Sequence, residues 1–147
     1  MRMAIFRCAR CGGINRVPDE RIAQHPKCGR CKDELDVSGH VQPIEGGKLR
    51  DLVSASPVPV LVDFWAPWCG PCRAAAPVVE SFAHDVAGKM VVCKLNTDED
   101  PSTSESLQIR GIPTFILFSG GKEIARQSGA MPRDQLERWV RSHDVAR

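Results

Sequence analysis

The stretch Val62-Asp63-Phe64-Trp65-Ala66-Pro67-Trp68-Cys69-Gly70-Pro71-Cys72 decides how this chain folds. It starts inside Val58–Trp65, a dense β-branched run of the kind that forms a strand buried on both faces. From Pro71 to about Ala87 the pattern turns helical, with Val78, Val79, Phe82 and Val86 directed inward and Pro77 expected to kink the helix. Cys69 therefore falls at a helix N-terminus beyond the carboxyl end of a strand, where ligand chemistry concentrates in such sheets. Free backbone N–H groups and the helix dipole stabilise a thiolate there. Cys72 lies one turn further on, beneath Cys69 and shielded by it. The placement assigns roles: Cys69 attacks a substrate disulfide, and Cys72 resolves the mixed disulfide and releases reduced product. A zinc half-site is the alternative use of such a pair, but no further Cys-x-x-Cys remains to complete it.

Outward from this stretch the elements alternate. Lys48–Ala55 reads as a helix, with Leu49, Leu52 and Val53 on one face, and Met90–Leu95 as a second buried strand. Pro101–Ile109 reads as a shorter helix with its proline tolerated at the start. Thr114–Phe118 and Glu123–Ser128 flank Ser119-Gly120-Gly121-Lys122 as a hairpin, and Pro132–Ser142 closes the chain as an amphipathic helix. The order β-α-β-α-β-β-α predicts an α/β fold, a central mixed sheet flanked by helices.

Two charged residues interrupt the apolar strands. Asp63 is expensive there unless protonated or paired, and desolvation would raise its pKa. A solvent-facing Asp on an edge strand is the plainer alternative. Lys94 interrupts the next strand, and a Lys there can simply snorkel outward. Cys93 reads as a small buried hydrophobe.

The chain has seven cysteines, and four more form Cys8-Ala9-Arg10-Cys11 and Cys28-Gly29-Arg30-Cys31, separated by sixteen residues. That spacing fits one zinc ion held by four thiolates, Cys8, Cys11, Cys28 and Cys31. Four protein ligands leave no open position, so the ion would be structural. Disulfides are the alternative, and His25 is not needed as a ligand. Residues 1–36 read as this metal-binding unit and 37–147 as the larger domain, with a junction near Val37-Ser38-Gly39-His40. The small unit has little core of its own, chiefly Ile5, Phe6, Ile14, Val17, Ile22 and Leu35, so a metal staple is expected. Thiolates in the same chain as a redox pair also make it a candidate redox-responsive element, the plainer role being that of a staple.

The formal net charge is +2, with residues 1–39 carrying +3 and the remainder −1. The basic excess compensates a tetrathiolate zinc centre, and with no aromatic platform beside it no nucleic-acid partner is expected. No apolar run approaches the roughly 18 residues of a membrane helix, and the start is too short in apolar residues for a signal peptide. A cytoplasmic location is expected, where patterned cysteines serve as metal ligands or redox catalysts.

The quoted stretch, with Pro77, Lys94, Ile112-Pro113-Thr114 and Gly129, resembles the thioredoxin family over residues 40–147. With the cysteine pairs added, the whole chain resembles the zinc-ribbon-bearing thioredoxins of the thioredoxin-2 (thioredoxin C) type. The resemblance implies a thioredoxin fold behind a small zinc ribbon, and a redox-active disulfide between Cys69 and Cys72. It implies that Asp63 takes a proton from Cys72 during resolution and that Lys94 tunes Asp63, and that Trp68, Gly70, Pro71, Ile112, Pro113 and Gly129 bind substrate. Pro113 would be cis and pack on the disulfide, and the Ile112 backbone would pair with an extended client segment. The implied activity is reduction of protein disulfides by a monomer that an NADPH-dependent thioredoxin reductase re-reduces. An adaptor or holdase that mainly binds clients, and a disulfide isomerase or oxidase, are the competing functions.

Overall fold

The computed structural model describes residues 2–143. Near the N-terminus, β1 (Met3–Arg7) and β2 (Ile14–Pro18) pair as an antiparallel hairpin with Arg7 opposite Ile14, followed by a 3₁₀ turn over Asp19–Gln24. Side chains alternate across this hairpin. Ala4, Phe6 and Val17 face one way and form a small core with Cys8, Cys28 and Leu35, against which Ile22, Val37 and Ala87 pack. Ile5, Arg7 and Ile14 lie on the opposite face. Ile5 is buried at the boundary with the larger domain, and Ile14 packs against that domain's core. The expected six-residue core is thus corrected: period-two alternation gives two of its members to the seam. The metal-binding unit is docked rather than appended.

Backbone and side-chain hydrogen bonds hold the seam. The Ile5 N–H donates to the Gly88 carbonyl at 2.9 Å. Arg7 Nη1 donates to Gln42 Oε1 at 2.8 Å, and Gln42 Nε2 donates back to the Arg7 carbonyl at 2.9 Å. Gly88 has φ +83°, and a Cβ there would stand 2.8 Å from the Ala4 Cβ. Gly88→Ala should therefore destabilise the protein. Roughly 1–2 kcal/mol comes from the left-handed backbone, and overpacking adds about 1–3 kcal/mol. Urea unfolding measures the loss; an unchanged midpoint would mean the hairpin is not seated on this turn.

The larger domain runs β3 (Gln42–Pro43), α1 (Gly46–Ala55), β4 (Val60–Trp65), α2 (Gly70–Asp85), β5 (Val91–Asn96), α3 (Pro101–Ser106), β6 (Thr114–Ser119), β7 (Lys122–Ser128) and α4 (Arg133–Ser142). The sheet order is β3-β5-β4-β6-β7, with β3, β5 and β4 mutually parallel and β6 and β7 antiparallel, as a mixed sheet requires. Val60, Val62 and Phe64 pack with Leu49 and Leu52 of α1 on one face, and Leu61 packs with Val79 and Phe82 of α2 and Val140 of α4 on the other. Apart from shifts of one or two residues at the ends of α1, β4, α2, β5, β6, β7 and α4, two elements differ from expectation. β3 precedes the expected order, its two residues too few to show a period. α3 stops at Ser106 rather than Ile109, because Gln108 turns left-handed (φ +56°) and the Ile109 N–H returns to the Ser104 carbonyl at 2.8 Å.

Candidate redox site and metal centre

Cys69 is the N-cap of α2, and its sulfur accepts the Cys72 N–H at 3.2 Å. A disulfide joins the two residues, with Cα atoms 5.2 Å apart. Both are buried, at 4% and 3% exposure. What separates them is direction: Cys69 lines an open groove of about 460 Å³ and Cys72 does not. Trp68, Gly70 and Pro71 form one wall of this groove, and Ile109 to Ile112 the other. The Ile112–Pro113 peptide is cis, and the Ile112 carbonyl oxygen stands 3.7 Å from the Cys69 sulfur. Gly129 supports this loop from β7's end, its N–H donating to the Pro113 carbonyl at 2.8 Å. Trp68 is 67% exposed, and its indole N–H donates to the Asp98 carboxylate at 3.0 and 3.2 Å. All six residues expected to bind substrate thus lie in the groove or brace its rim. Asp98, which fixes the Trp68 ring, and Arg110, a charged residue of the groove wall, were not foreseen. Neither interrupts a periodic pattern, so neither stands out in the sequence.

Asp63 lies in the central strand, paired with Lys94 of β5 on one side and Phe115 of β6 on the other. Alternation places it on the α2 face with Leu61. It is 5% exposed, and its Oδ1 has no hydrogen-bond partner. Burial pushes its pKa up from 3.8 to about 7, against a smaller downward pull from Lys94. The edge-strand alternative is excluded. Lys94 is half-buried, with Nζ 5.2 Å from the centroid of the Trp65 ring, and it makes no ion pair with Asp63 among the described residues.

The raised acid sets a pH dependence. Between about pH 4 and pH 7 the folded chain keeps the Asp63 proton that the unfolded chain loses, so stability falls as pH rises and levels off above 7. Asp63→Asn removes the charge, worth about 4 kcal/mol at most for a shift of that size. It leaves a buried amide, so the net gain should be on the order of 1–3 kcal/mol at pH 8.5. The gain should vanish near pH 4. Denaturant unfolding of both proteins at the two pH values tests this; a gain independent of pH would contradict the buried acid. Cys93 is fully buried near the Leu61 carbonyl, and burial raises its pKa to about 12, leaving it unreactive.

The remaining cysteines converge. Cys8, Cys11, Cys28 and Cys31 place their sulfurs within 4.8 Å of one another, with Cys8–Cys31 at 3.7 Å and Cys11–Cys28 at 3.6 Å. A disulfide needs about 2.05 Å. A tetrahedron with Zn–S of 2.3 Å has edges of about 3.8 Å, so the set fits a four-thiolate metal. Two matching knuckles build it. Cys8 N–H donates to the Gly13 carbonyl and Gly12 N–H to the Cys8 carbonyl, both at 2.8 Å; Cys28 with Asp33 and Lys32 repeats the pattern at 2.8 and 2.9 Å. The Gly13 and Arg30 N–H groups donate to the Cys11 and Cys28 sulfurs at 3.4 Å, offsetting thiolate charge. The fifth position of each knuckle is left-handed, Gly12 at φ +78° and Lys32 at +68°. Lys32→Gly should relieve roughly 1 kcal/mol of strain, seen as tighter metal retention against a chelator. His25 stands outside the cluster, 3.2 Å from Glu34.

A Cys-x-x-Cys disulfide at a helix N-terminus beside an open groove defines a thiol–disulfide oxidoreductase. The chain belongs to the thioredoxin family: the model described as Thioredoxin matches residues 40–142, and the one described as Thioredoxin 2, N-terminal, a zinc ribbon, matches residues 7–33. It is 39% identical to thioredoxin C-3 of Corynebacterium nephridii over 92% of each chain. It is 50% identical to thioredoxin 1 of Nostoc sp. over 60% of this chain and 82% of that one. The solved structure of chloroplastic thioredoxin z superposes with a TM-score of 0.65 at 31% identity, covering 71% of this chain and 95% of that one.

Proposed function

We propose that this thioredoxin reduces protein disulfides in the cytoplasm as a monomer, and that an NADPH-dependent thioredoxin reductase restores its dithiol. The observation that carries the reading is the Cys69–Cys72 disulfide at the α2 N-terminus, with Cys69 facing the groove walled by Ile112. In the reduced protein the Cys69 thiolate attacks one client sulfur, forming a mixed disulfide and expelling the other sulfur as a thiolate. Cys72 passes its proton to Asp63 and attacks Cys69, so the client leaves with both electrons and the Cys69–Cys72 bond re-forms. Lys94 tempers the basicity of Asp63. Trp68, Gly70 and Pro71 support one side of the client, and the Ile112 backbone, held by Pro113 and Gly129, pairs with its extended segment. One structural zinc ion is held by Cys8, Cys11, Cys28 and Cys31, with no part in the exchange.

Insulin-disulfide reduction tests this, driven by NADPH and thioredoxin reductase. Turnover that depends on the reductase supports the reading. Client binding without reduction would favour an adaptor. In the same assay Asp63→Asn should slow resolution more than first attack and remove the inflection near pH 7.

A further inference from the structure

Arg7 is the one arginine or lysine buried among the described residues, at 7% exposure. Its single side-chain hydrogen bond runs to Gln42, and no carboxylate lies within ion-pair reach of it among the described residues. A guanidinium carries five N–H donors, so a buried one with a single neutral acceptor is under-satisfied. Alternation turns it away from Cys8, and no hydrogen bond links it to a cysteine sulfur, so it is not a direct partner of the metal thiolates.

Two hollows meet on Arg7 and Lys48, in the seam between the metal-binding unit and the larger domain. One, of about 400 Å³, borders Cys11 and lies beside the thiolate charge. The other, of about 270 Å³, adds Lys94, Asn96 and Trp65. Lys48 and Lys94, like Arg7, have no carboxylate partner among the described residues. The Trp65 indole N–H is buried and has no acceptor. Glu45 and Glu99 also border this hollow, but both are exposed, and Glu99 accepts a bond from Asn96 at 3.3 Å. Three cations therefore line a hollow whose only acids among the described residues, Glu45 and Glu99, are exposed.

We propose that this second hollow is a binding site for a small oxyanion, a phosphate or carboxylate group, held by Arg7, Lys48 and Lys94, with the Trp65 ring forming part of its wall. Oxyanions suit it because they offer several acceptors to a guanidinium and to ammonium groups at once. Its walls come from both units, so neither alone forms it.

The metal-loaded full chain is titrated with inorganic phosphate and, separately, with succinate, against sodium chloride at matched ionic strength. The indole N–H resonances of the three tryptophans are followed, and Trp65→Phe identifies the relevant one. The Trp65 signal should shift saturably while those of Trp68 and Trp139 stay in place. The tighter of the two probes names the ligand's chemistry. Lys48→Gln should weaken binding about tenfold, the scale of one charge-assisted contact. Lys48 is exposed and makes no hydrogen bond among the described residues, so this variant keeps the fold. Arg7→Gln should abolish saturation. A shift that chloride reproduces, an adventitious ion only, overturns the proposal. So does an unmoved Trp65 signal, or Lys48→Gln binding as well as the native chain.

Discussion

Cys69→Ser should lose insulin reduction down to the rate of the uncatalysed exchange. The thiolate is the nucleophile, and a serine hydroxyl does not replace it. No other sulfur is placed to substitute. Cys72 is absent from the groove wall, Cys93 is fully buried with its pKa pushed up to about 12, and the other four are gathered in the metal cluster. Cys72→Ser should instead keep the first attack and stall there. The client then stays bound through Cys69, and mass spectrometry of the unreduced protein should show the client mass added once. The two variants separate nucleophile from resolver. If Cys69→Ser kept substantial reductase activity, or if Cys72→Ser released its client at the native rate, the assigned roles would be wrong.

The redox site was legible because its signal is local. A buried strand followed at once by Cys-Gly-Pro-Cys and a helical pattern fixes where Cys69 stands, and α2 begins there. Asp63 was legible as a charge in an apolar strand, and its burial follows from β4 lying at the centre of the sheet. The cluster of Cys8, Cys11, Cys28 and Cys31 was legible from cysteine spacing alone. What stayed hidden depends on contacts between distant segments. Arg7 reads as one of eight basic residues near the N-terminus, and only the β1–β2 pairing turns it into the seam toward Gln42, thirty-five positions away. The same pairing moves Ile5 and Ile14 out of the small core. β3 gains its identity only from Cys93 and Lys94 beside it, and Asp98 only from the Trp68 ring.

Removing the metal should unfold the knuckles while the redox domain stays intact. Structural zinc sites of this kind contribute about 10–16 kcal/mol of apparent binding free energy, more than a small core of Ala4, Phe6, Val17 and Leu35 supplies. After chelation, the amides of Cys8, Gly12, Cys28 and Lys32 should lose their protection from hydrogen exchange, because their partners are the knuckle carbonyls themselves. Leu35, whose N–H donates to the Pro26 carbonyl at 2.9 Å, should follow. The Ile5 amide should keep partial protection, since its acceptor is Gly88 of the larger domain. Amides of β4, β5 and β6 should not change, for their two cores lie on α1, α2 and α4. Reductase activity should survive, and metal analysis of the untreated protein should return one zinc per chain. Peroxide titration adds the redox arm. If the site is a staple, zinc leaves without altering the preference among several protein substrates; if it is a switch, that preference changes as zinc is released. Unchanged exchange at residues 8–36 after complete chelation would show that docking on the larger domain, not the metal, holds this unit together.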